Sequence, residues 1–211
     1  ELRRDSLSGL LKGILFETSV MSKSIEILPL IVKNNDEIVM CCLLAKASRM
    51  QEYLQMSFFE SKEYCIEGFN LVYKKAEEIS KKWQTKFICA SLNIHVNYGL
   101  GYLKDSYSKP QSFGMAHNEA FIHDYFESYG FSGIDMVTFH KNMEADFTLI
   151  SDKLKQKLKS KYSVRHADFK NMEREAKTYT RINNDAFRNH PFYYKRVEEE
   201  DLELFKDFKM L

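Results

Sequence analysis

Residues 37–59 read EIVMCCLLAKASRMQEYLQMSFF, and the reading of this stretch decides the fold. Taken as a helix, it strings Leu43, Leu44, Ala47, Met50, Leu54 and the Met56–Phe58 group along its length. That spacing fits a 3.6-residue period. Ser61–Trp83 reads as a second helix, ending on Lys81 and Lys82, where cations suit the negative end of the helix dipole. Turn residues are scarce, with 8 Gly and 3 Pro in 211 residues. An all-β sandwich or barrel needs a turn signal every ten or so positions, so this scarcity favours long helices joined by few loops.

Working outward, Leu7, Leu10, Leu11, Ile14 and Leu15 predict a helix over about 5–20, with Asp5 or Ser6 as its N-cap. Residues 25–32, IEILPLIV, read either as a kinked helix or as an edge strand at Pro29. Asn34-Asn35-Asp36 is a turn. Residues 84–105 carry both a strand alternation (Leu92, Ile94, Val96, Tyr98) and a helical spacing (Phe87, Leu92, Val96, Leu100), and the dearth of turns favours helix. A loop at 106–115 is the candidate internal boundary. Further helices are expected over 116–129, 134–160, 166–182 and 197–208. In the longest of these, Met136, Phe139, Met143, Phe147, Ile150, Leu154 and Leu158 step by three or four. The expected architecture is therefore all-α: one domain over 1–211, a bundle of six to eight helices, with at most one small strand pair near 25–32 and 87–98.

The formal charge is +1, from 31 basic and 30 acidic residues. Locally the charges separate. Lys153–Arg196 holds 13 basic and 4 acidic residues, a net of +9, and Glu198–Asp207 holds 6 acidic and 1 basic, a net of −5. The basic stretch is interleaved with Tyr162, Phe169, Tyr179, Phe192, Tyr193 and Tyr194. It could hold RNA through phosphate contacts from Lys153, Lys157, Lys170, Arg174 and Arg181 and through base stacking. It could equally be a solvated face over which the acidic helix folds back.

Cys41, Cys42, Cys65 and Cys89 lack zinc or redox spacing and sit among apolar neighbours, so they read as free thiols in a reducing compartment. No apolar run approaches the ~18 residues that span a bilayer. A soluble cytoplasmic protein without a cofactor or membrane association is the expectation. The first residue is Glu1 rather than Met, which suggests a trimmed chain.

No phosphate-binding glycine loop, nucleophile elbow or HExxH motif occurs. The most specific local pattern is Lys159-Ser160-Lys161-Tyr162-Ser163-Val164-Arg165-His166-Ala167-Asp168, placed after the long amphipathic segment. It resembles the Arg-x(4–6)-His region of HEPN domains of the abortive-infection type, over roughly 134–182. The resemblance implies a helical, metal-independent ribonuclease, often a dimer. His166 would be its acid–base residue, with Lys159, Lys161 and Arg165 at the phosphate. Here Lys159 or Lys161 stands where the family has Arg, and lysine lacks the bidentate fork. A second reading is a non-enzymatic helical module that binds a protein partner or a second copy of itself. A third is a metal or small-ligand site in the bundle, formed by His123, Glu127, His140 and Glu144.

Overall fold

The computed structural model describes residues 5–111, 116–139 and 151–208. Its centre is a four-stranded mixed sheet, so the all-α helical bundle expected from the sequence is not the fold. The described elements are α1 (Asp5–Leu15), β1 (Ile25–Asn34), β2 (Glu37–Ala47), β3 (Tyr53–Ser61), α2 (Ile66–Lys82), β4 (Phe87–Ala90), α3 (Phe121–Ser128), α4 (Asp152–Lys161), α5 (Met172–Ala186) and α6 (Glu198–Phe208). Short 3-10 turns lie at Val20–Ser24 and Val96–Tyr98.

The stretch 37–59 is thus a β-hairpin and not a helix. β1, β2 and β3 form an antiparallel meander, and β4 joins β3 in parallel after the α2 crossover. The sheet order is β1-β2-β3-β4. β2 hides its strand character because both of its faces are covered. Cys42 and Leu44 point to the α2 side, Leu43 and Ala45 to the α1 side, and all four are buried. A strand buried on both faces shows a continuous apolar run instead of an alternation. The turn argument fails for a related reason. Two tight connections suffice, and Asn35 supplies the left-handed backbone (φ 54°) that glycine would otherwise supply.

The stretch 84–105 is not helical either. β4 takes four residues, and the rest winds through non-repetitive backbone to the 3-10 turn. The strand pair anticipated near 25–32 and 87–98 is realised only in part, since β1 and β4 lie at opposite edges of the sheet. The long helix expected over 134–160 is replaced at 134–139 by irregular backbone and at 152–161 by α4, while 140–150 lie outside the described residues.

Two apolar layers sandwich the sheet. On one side Phe69, Val72, Ala76 and Ile79 form the inner stripe of α2, joined by Ile122, Tyr125 and Phe126 of α3. The Phe69 and Tyr125 rings stack at 4.8 Å, and Phe59 meets Phe69 edge-on at 5.6 Å. Such ring pairs add to the area burial of large aromatics. On the other side Leu10 and Ile14 of α1 pack with Met21, Leu43, Ala45, Ile94 and Tyr98. α5 and α6 pair through Ala176, Thr180 and the Tyr179–Phe205 ring contact at 5.0 Å.

Candidate functional site

On the α1 side of the sheet the pleat places two polar residues of β3, Gln55 and Ser57, opposite Ala45 and Leu43, both fully buried. Ser57 Oγ donates to the Leu92 carbonyl (2.7 Å) and accepts from the Ile94 N–H (3.2 Å). Asn93 Oδ1 accepts from the Phe58 N–H at 2.7 Å. These bonds tie the segment after β4 to the sheet and hold Ile94 at φ 69°. For a β-branched residue that is a strained conformation, kept only where the surroundings impose it.

The strain delivers His95 into the interior. Its Nδ1 accepts from the Asn97 N–H (3.2 Å), which fixes the proton on Nε2, and Nε2 donates to the Tyr194 carbonyl (3.1 Å). The imidazole is therefore a neutral, fully used pair of hydrogen-bonding groups. Burial, with Arg196 adding a like charge, pushes its pKa down to about 3.

Around His95 gather residues from distant parts of the chain. Arg196 is buried, donates from Nε to Asp201 Oδ1 (2.7 Å), and lies 5.1 Å from the centre of the Tyr98 ring. Asp201 Oδ2 accepts from Thr180 Oγ1 at 2.6 Å. Arg49, from the β2–β3 turn, pairs with the buried Glu200 and lies 5.0 Å from the Tyr194 ring centre. Burial raises the Tyr98 hydroxyl to about 12 and raises Tyr194 as well. The Ser19 hydroxyl donates to Glu203 at 2.7 Å. Together these contacts fasten the α5–α6 pair to the sheet. They leave a cleft of about 370 Å³ between α1 and α6, whose wall includes Tyr98 and Glu200.

The residues singled out by the sequence lie elsewhere. His166 sits in the exposed turn between α4 and α5 rather than at the start of a helix. Arg165 is held by Glu175 through two 3.0 Å bonds, and Arg174 pairs with Asp168 and Glu175. Lys153, Lys157, Lys159 and Lys161 are exposed on α4, and Lys170 and Arg181 are exposed as well. The structure thus gathers Arg165, Asp168, Arg174 and Glu175 into one ion-pair group and leaves His166 and the α4 lysines apart from it. His123 Nε2 lies 2.7 Å from the Leu103 carbonyl, and Glu127 is exposed. His140 and Glu144 lie outside the described residues. Among the described residues no group of three His, Cys, Asp or Glu side chains is placed to hold a metal ion.

Sequence reasoning missed His95, Arg49, Tyr98 and Asp201. Arg196 and Asp201 were visible only as members of the basic run and the acidic tail. The folding-back of that tail is seen: Asp201 meets Arg196, and Glu198 approaches Lys177 at 3.7 Å.

A second surface stands out by its exposure. α4 has no buried residue. At 100° per residue, Leu154 and Leu158 share one face, flanked by Lys153, Lys157 and Lys161 on one side and by Lys155 and Lys159 on the other. Upstream, Ile134, Met136, Val137 and Phe139 are also exposed, Phe139 by 91%. This segment is moored by the Asp135–Lys104 ion pair (2.7 Å) and by Met136 lying over Gly101. No helix among the described residues is long and apolar enough to cross a membrane. No family model, curated protein or solved structure matches this chain.

Proposed function

We propose that the chain is a non-enzymatic interaction module that presents α4 and the 134–139 segment to an acidic protein partner. The supporting observation is the helix itself: an exposed apolar i, i+4 pair, Leu154 and Leu158, bracketed by five lysines on a helix with no buried residue. A helix of this kind docks its apolar face into a groove, and its lysines select a groove with an acidic rim. Exposed apolar clusters on an otherwise well-packed protein mark interaction sites.

A protein is favoured over RNA by side-chain chemistry. Three of the four exposed apolar residues of the segment, Ile134, Met136 and Val137, are aliphatic, and with Leu154 and Leu158 they outnumber the one ring there, Phe139; a protein groove takes such aliphatic anchors readily, whereas base stacking needs flat rings. The ribonuclease reading draws no support from the geometry, because His166 is exposed and its neighbour Arg165 is neutralised by Glu175. The cytoplasm is the proposed compartment, in keeping with Cys41, Cys42, Cys65 and Cys89, none of which is in a disulfide among the described residues.

The test uses three labelled probes on the full chain: a designed helix with Leu at a and d and Glu at e and g, polyuridylate RNA, and phosphatidylserine vesicles. The designed helix should bind, and binding should weaken at least tenfold in Leu154→Ser/Leu158→Ser and in Lys157→Gln/Lys161→Gln. Preference for RNA or vesicles, or binding indifferent to the leucines, would overturn the proposal.

A further inference from the structure

β1 is one edge of the sheet, and the hydrogen-bond parity of its ladder with β2 sets which of its residues face outward. Next to the register pair of Ile25 and Ala47, the Ser48 N–H donates to the Ser24 carbonyl at 2.8 Å. Bonded and unbonded pairs alternate along an antiparallel ladder, so Glu26, Leu28, Leu30 and Val32 are the residues that bond to β2. Ile25, Ile27, Pro29 and Ile31 turn their backbone groups the other way. Pro29 has no N–H to give, and in the outward row its absence costs the sheet no bond. Among the described residues no backbone group bonds to that row.

The row otherwise has what a pairing edge needs. β1 is ten residues long, and its register with β2 is unbroken from Ile25 to Val32. Apolar side chains line both faces, with Leu28 and Leu30 on the α2 side and Ile25 and Ile27 on the α1 side. Ile31 is exposed. A long, apolar, unpaired edge is a template for another strand. The opposite edge is β4, which has only four residues and offers little to pair with.

We propose that Pro29 closes the β1 edge, so that the chain does not extend its sheet into a second copy of itself. A ladder spanning this edge crosses Pro29, which removes a donor at its centre and sets the pyrrolidine ring where the partner backbone would lie. What remains is Ile25 and Ile27 on one side and Ile31 on the other, before the register shift at Val32/Lys33. A bulge of this kind further blunts an edge. Association is left to surfaces other than the sheet, and the inference does not depend on α4.

Pro29→Val restores the missing N–H without touching a bond to β2. In size exclusion with light scattering at about 100 μM, it should run at about twice the mass of the parent chain. Pro29→Val/Ile31→Lys should return to the parent's mass, because a lysine on the edge opposes pairing. Adding Leu154→Ser/Leu158→Ser to Pro29→Val should leave the doubled mass intact. In the parent, amide exchange read by NMR should be fast at Ile27 and Ile31 and slow at Leu28, Leu30 and Val32. A folded Pro29→Val of unchanged mass overturns the proposal, as does slow exchange at Ile27 and Ile31 in the parent. A doubled mass that disappears with the leucines of α4 overturns it too. So does failure of both Pro29 variants to fold, since position 29 gives β2 no bond.

Discussion

Acid should unfold this protein through His95. The ring is fully buried and already donates to the Tyr194 carbonyl and accepts from the Asn97 N–H, so a second proton breaks a bond and buries a charge. The charges facing it are Arg196, Arg49 and His190, all of which oppose protonation. Its pKa falls from 6.5 to about 3 on folding. Between those values the unfolded chain binds the proton and the folded chain does not, so stability declines as pH falls below 6.5 and is complete above it. At 1.36 kcal/mol per unit, His95 alone removes about 2 kcal/mol by pH 5 and about 4 kcal/mol by pH 3. Much of a typical domain stability of 5–15 kcal/mol would then be gone. Urea unfolding followed by circular dichroism at pH 7, 6, 5 and 4 measures the effect. His95→Gln keeps an amide donor but cannot titrate, so its stability should be lower at pH 7 and flatter below pH 6.5. Parallel pH curves for the two proteins would refute the argument.

Other predictions follow from particular contacts. Asp201→Ala strands the buried Arg196 guanidinium and should lower the unfolding free energy by about 3–5 kcal/mol in the same assay. Phe69→Ala empties the centre of the aromatic layer and should also lose about 3–5 kcal/mol. Gln84 follows α2 at φ 56°, its N–H bonding to the Lys81 carbonyl and the Thr85 N–H to the Ser80 carbonyl. That is a Schellman turn, in which glycine is the favoured residue, so Gln84→Gly should stabilise by about 0.5–1 kcal/mol, read as a higher urea midpoint.

The sequence showed most clearly the elements with one buried face. α2 was legible because Phe69, Val72, Ala76 and Ile79 repeat at helical spacing above a polar outer side. α1 was found for the same reason, and α6 was read as an acidic terminal helix, with ends shifted by a few residues. The sheet was hidden because Cys42, Leu43, Leu44 and Ala45 of β2 are buried on both faces and imitate a buried helix. Asn35 took the place of the glycine that would have announced the hairpin. The polar cluster was illegible for a different reason. His95 bonds to a carbonyl 99 residues away, and no local pattern marks so distant a pairing. A usable clue was Arg196 lying five residues before Asp201, opposite charges at the entrance to a helix. The basic surface was read from charge alone, and the structure adds that Leu154 and Leu158 lie exposed between its lysines.

The most direct test of the interaction surface is hydrogen exchange on the full chain, read by mass spectrometry with and without the designed Leu/Glu helix. An unpacked helix exchanges quickly and becomes protected once it is docked. Protection is predicted over 134–139 and 152–161, with the strands and α2 unchanged. Protection that leaves 152–161 untouched, or none at all under saturating probe, would contradict the account.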